Sequence, residues 1–113
     1  MLNLLFLNTD RKELTMENTY IISYDINQSE SAASQKSPGK VYEDLYAEIK
    51  SYGTWAHITD SCWAVVSADS ATAVRDKLQT CMRHCDRLMV VQSAHVAAWK
   101  NVMCNSEWLQ NNL

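Results

Sequence analysis

Residues 20–26 read Tyr20-Ile21-Ile22-Ser23-Tyr24-Asp25-Ile26, and the fold turns on this stretch. β-branched and aromatic side chains suit a pleated strand. Alternation places Tyr20, Ile22, Tyr24 and Ile26 on one face and Ile21, Ser23 and Asp25 on the other. Downstream, residues 27–39 (NQSESAASQKSPG) form the one low-complexity stretch and predict a loop. Pro38 suits the first turn of a helix capped by Ser37. Val41, Leu45, Ile49 and Tyr52 recur at helical spacing, and Gly53 follows as a left-handed terminator would. Residues 54–59 and 62–67 are short strands around Asp60-Ser61, which predicts a hairpin.

Further along, Ser70 can cap a second helix whose apolar stripe is Val74, Leu78, Cys81 and Cys85. Residues 88–92 (LMVVQ) predict a fourth strand. HVAAWKN predicts a short helical piece, and SEWLQNNL one or two last helical turns. The order strand, helix, strand, strand, helix, strand leaves one common solution under short connections and right-handed crossovers. It is an α+β fold of the ferredoxin-like βαββαβ kind. A four-stranded antiparallel sheet carries both helices on one face, with the first and third strands central. The sheet's second face then needs a cover, either a dimer partner or the C-terminal tail.

The chain has 113 residues, 47% of them hydrophobic, which suits one domain and rules out wholesale disorder. That domain is expected over residues 19–113, behind an N-terminal extension, residues 1–18, in which Leu2, Leu4, Leu5 and Leu7 can line a short amphipathic helix. The longest aliphatic run, Leu4-Leu5-Phe6-Leu7, is far short of the roughly 20 residues that span a bilayer. The opening MLNLLFLN lacks a basic leader and a cleavage site. These features predict a cytoplasmic protein with no membrane partner and with Cys62, Cys81, Cys85 and Cys104 reduced. A net charge of −3 weighs against strong sequence-independent nucleic-acid binding.

Asp25 is the most informative candidate for chemistry. At the end of a central strand it occupies the lip of the sheet, beside the long loop. A lone carboxylate holds a divalent cation poorly, but two copies across a two-fold axis could hold one with waters and phosphate oxygens. The plainer reading has Asp25 capping the turn at Asn27-Gln28. In the hairpin, His57 could act as a general acid–base oriented by Asp60. Ser61 beside them invites a triad reading without a nucleophile elbow. The alternative has Trp55 and Trp63 filling the sheet face while His57 and Asp60 fix the turn. Cys81 and Cys85, with Cys104, superficially suggest zinc, yet 81 and 85 fall on the apolar stripe as small hydrophobes. Lys77, Arg83, His84 and Arg87, with Lys36 and Lys40, form the densest basic region. They could contact a phosphate backbone or simply be a solvated face interleaved with Asp69, Asp76 and Asp86.

Over residues 19–113 the chain resembles the small ferredoxin-like proteins related to the CRISPR-associated Cas-two and VapD families, and more closely the bacterial SinR-family proteins. The resemblance rests on YIISYDIN, WAHITDSCW, VRDKL, DRLMVVQ and SEWLQNNL. It implies a homodimer, with the first-strand aspartate taking part in metal-dependent cleavage of RNA or DNA. That role falls on Asp25, which would hold Mg²⁺ or Mn²⁺ while His57 or Ser23 assists. Lys77, Arg83, Arg87 and Lys40 would then be the nucleic-acid contacts. The alternative is a non-catalytic dimeric module of a toxin–antitoxin or phage-defence system, binding nucleic acid or a protein encoded nearby.

Overall fold

A computed structural model describes residues 16–29 and 36–113 of the chain. The readings of Leu2, Leu4, Leu5 and Leu7, and of residues 30–35 of the loop, lie outside the described residues. The elements are β1 (Asn18–Asp25), α1 (Pro38–Lys50), β2 (Trp55–Thr59), β3 (Cys62–Ser67), α2 (Ala71–Gln79), β4 (Arg87–Gln92) and α3 (Ser106–Asn112). The fold is α+β, with an antiparallel four-stranded sheet in the order β2-β3-β1-β4 and three helices among the described residues. β3 and β1 are central, as the order of the elements predicts.

Local chemistry explains the boundaries. Ser37 accepts from the Lys40 N–H at 3.2 Å and Ser70 from the Ala73 N–H at 3.1 Å, so each helix begins on a side-chain cap. Beyond α1, Gly53 takes the left-handed conformation at φ 86° and turns the chain into β2. The second helix stops earlier than its stripe predicts. Thr80 Oγ1 bonds back to the Lys77 carbonyl at 2.7 Å, and the chain leaves helical geometry after Gln79. Cys81 still reaches the core, but Cys85 is exposed. HVAAWKN is irregular, because His95 and Asn101 sit at φ 68° and 56°, which interrupts a helix.

Two apolar clusters lie on opposite sides of the sheet. On one side Val41, Leu45 and Ile49 of α1 and Val74 and Leu78 of α2 close over Tyr20, Ile22, Tyr24, Trp63 and Val65. Burying each such aliphatic side chain contributes about 1.5–3 kcal/mol. On the other side the C-terminal segment brings Trp99, Val102, Trp108 and Leu109 against Ala56, Ile58 and Ala64. The Met103 N–H bonds the Ile58 carbonyl at 2.9 Å, and Thr19 Oγ1 donates to the Asn112 carbonyl at 2.6 Å. The tail therefore covers the β2–β3 half of the second face and reaches β1 at Thr19 and Ile21. Along β1 and β4, Met89 and Val91 stay exposed at 58% and 45%. No described helix is long and apolar enough to cross a membrane.

Candidate functional site

Asp25 closes β1 on the second face, with Arg87 directly opposite in β4. Its Oδ2 lies 3.6 Å from Arg87 Nη1, and the two side chains are 71% and 83% exposed. Opposite charges facing across strands are the usual cross-strand pair, and at this exposure solvent screens most of the attraction. Asp25 does not cap the loop that follows. Asn27 does, its Oδ1 accepting from the Ser29 N–H at 2.8 Å. Ser23 and Met89, the next register pair along, line the same open hollow as Asp25 and Arg87.

His57 is on the other side of the sheet. It faces Trp63 in the β2–β3 register and stacks on that indole at 4.0 Å between ring centres and 11° between planes. Its Nε2 is 3.2 Å from the main-chain carbonyl of Asp60, a contact that fixes the turn and involves no carboxylate. Because alternation sends Asp25 to the opposite face, the sheet separates the two residues. Their expected cooperation fails on that geometry, and so does the triad reading.

Beneath His57, Trp63 Nε1 donates to the Tyr24 hydroxyl at 3.0 Å, and that hydroxyl donates to the Asp60 carbonyl at 3.0 Å. Burial, with the neighbouring Tyr46 hydroxyl, drives the Tyr24 pKa far above the ordinary phenol range, so it stays a donor. This aromatic assembly is a core element under the hairpin.

The expected basic set does not form one surface. Arg83 is turned inward, its side chain 5% exposed, and pairs with Asp86, itself wholly buried. Its remaining N–H groups reach the carbonyls of Asn27, Ser29 and Lys36, so it cannot serve as a phosphate contact. Lys40 lies 3.1 Å from Asp44, and Lys36 lies 2.7 Å from the same carboxylate. Lys77 sits 4.2 Å above the Tyr52 ring and 3.5 Å from Glu48. Lys40 and Lys77 belong to the helical layer, whereas Arg87 faces the other way.

The zinc reading also fails. Cys81 packs in the helix-side core, Cys104 in the cluster across the sheet, and Cys85 in neither. Among the described residues no three His, Cys, Asp or Glu side chains converge as a metal site. Asp25 taken in one chain does not fit a dication either, since its near neighbour is a guanidinium and not a second oxygen ligand.

Sequence reasoning missed the Arg83–Asp86 pair, which lies in the turn after α2 and is held inward by loop carbonyls far along the chain. It also missed a hollow of about 250 Å³ beside β2, lined by Trp55, Met103 and Trp108, which depends on where the irregular tail runs. No family model, curated protein or solved structure matches the chain.

Proposed function

We propose that the chain is a cytoplasmic, ferredoxin-like protein of the Cas-two and SinR kind, working as a non-catalytic homodimeric module that binds a protein partner. The strand order, with α1 and α2 on one face, supports the ferredoxin-like reading, and α3 is an addition to it. Four free thiols suit a reducing compartment. The observation that carries the dimer is the uncovered strip along β4 and the Asp25 end of β1, where Met89 and Val91 stand exposed beside the part of the face that the tail has closed. A protein is favoured over nucleic acid because Lys36, Lys40, Lys77, Arg83 and Arg87 each have a carboxylate neighbour.

One observation favours the second reading, a metal-dependent endonuclease acting on RNA or DNA. Asp25 stays 71% exposed on the face where a second copy would dock. A site for Mg²⁺ or Mn²⁺ would need the carboxylates of both copies, so no step is assigned to one chain. The test is solution scattering of the purified protein, followed by incubation with RNA and DNA in each metal. A dimer without Asp25-dependent cleavage supports the module. Cleavage that Asp25→Asn abolishes, with the dimer intact, replaces it with the nuclease.

A further inference from the structure

Resting on the dimer reading, we infer that the two copies meet about a two-fold axis running along the strands between β1 and β4, and that Asp25 of each copy pairs with Arg87 of the other. The relevant register is Ile21 opposite Val91, Ser23 opposite Met89 and Asp25 opposite Arg87. A two-fold in that position turns one sheet over the other and lays each β4 on the partner's β1. Every cross-strand neighbour in one chain thereby becomes the residue faced in the second copy.

The strip is self-complementary under this operation, as a closed two-fold contact must be. The exposed Met89 meets the small Ser23, a knob against a gap. Val91 faces Ile21 at the end that the tail approaches, and at the other end the guanidinium of each Arg87 meets the carboxylate of the partner's Asp25, the two pairs lying side by side. An in-plane axis perpendicular to the strands would instead carry both charged ends away from each other. Near-parallel strands on facing sheets are also the common aligned packing, about 10 Å apart. The tail reaches β1 at Thr19 and Ile21, so the contact is centred on the open end of the strip, at Ser23, Asp25, Arg87 and Met89, and the partner's sheet extends beyond β4.

The weak intrachain pair is then a rest position. At 3.6 Å and largely exposed, the pair in each copy can be exchanged for an intermolecular one that is better shielded from water. Asp25 on this reading fixes the orientation of the dimer and is not a ligand of a shared metal.

The test is charge reversal read by sedimentation at low ionic strength, with circular dichroism as a check on folding. Asp25→Arg alone and Arg87→Asp alone each set like charges against one another in both symmetry-related pairs, and each should weaken dimerisation more than tenfold. Mixing the two variants in equal amounts should recover a dimer, since the heterodimer has opposite charges in both pairs. The double variant Asp25→Arg/Arg87→Asp should recover it as well. A wild-type monomer overturns the dimer reading itself. A wild-type dimer that either single variant leaves unweakened keeps that reading and overturns this axis. Folded single variants that fail to recover on mixing overturn it too.

Discussion

Arg83 and Asp86 form a buried ion pair, Nη2 to Oδ1 at 3.1 Å, that gathers the two ends of the loop between β1 and α1. Asp86 accepts from the Asn27 N–H at 2.9 Å and from Arg83's own N–H at 2.8 Å, while the guanidinium bonds the Ser29 and Lys36 carbonyls at 3.2 and 3.4 Å. Removing one partner strands the other charge in a dry site. Arg83→Met should therefore cost about 3–5 kcal/mol in urea unfolding, with Arg83→Met/Asp86→Leu regaining part of the loss. A cost near that of an exposed pair would mean that the loop ends hold without the clamp.

The same pair sets an acid limit on stability. Burial alone would raise the Asp86 pKa, but the hydrogen bonds from Arg83 and Asn27, with the Arg83 charge, outweigh it and hold the carboxyl below its ordinary value. Asp44 is held low by hydrogen bonds from Lys36 and Lys40. A depressed folded pKa contributes stability that is full above the unfolded value, about 4, and is lost as pH falls through the folded value. The gap in stability between wild type and Asp86→Asn should be constant from about pH 7 to 5 and shrink below about 4. A gap that persists at lower pH would place the proton uptake elsewhere.

Thiol reactivity should separate the two cysteines that share the sequence stripe. Burial pushes the Cys81 thiol up and hides it, whereas Cys85 is exposed. Native protein treated with a maleimide, then digested and weighed, should be labelled at Cys85 well before Cys81. Equal labelling would mean that the turn after α2 opens freely.

How much was legible in the sequence follows the range of the interactions. Ser37, Ser70 and Gly53 act within a few residues, so caps and turn could be read directly. The alternation in residues 20–26 sufficed for a strand and for the faces of Ser23 and Asp25, and the order of the elements for its central place. Arg87 as the partner of Asp25 depends on β1–β4 register, and the inward turn of Arg83 depends on loop carbonyls far along the chain. Neither is a local property. The separation of His57 from Asp25 did follow from alternation, once strand pairing assigned each residue its side.

Tyr52 offers a substitution expected to help. Its hydroxyl is buried without a hydrogen-bond partner, and burial, with Asp69 and Glu48 nearby, raises its pKa to about 12. An unmade hydrogen bond leaves desolvation uncompensated. Tyr52→Phe removes the hydroxyl and keeps a ring for Lys77 to sit over. Stability should be unchanged or higher by about 1 kcal/mol in urea unfolding. A clear loss would reveal a water or other partner at that oxygen.

Leu109 decides whether the tail belongs to the domain. It is 1% exposed and packs with Ala56, Ile58 and Ala64, small or branched residues that leave room for it on the sheet. Leu109→Ala should cost about 2–5 kcal/mol, the lost transfer of the side chain plus the cavity left behind. The effect should reach beyond α3. Amide exchange should quicken at Met103, whose N–H donates to the Ile58 carbonyl, as well as within residues 106–112. A loss under about 1 kcal/mol, with exchange changed in α3 alone, would make the segment an appendage resting on a sheet stable without it. A cooperative loss would make α3 part of one folding unit with the four strands, and the uncovered β1–β4 strip would then be the part of the second face left for another molecule.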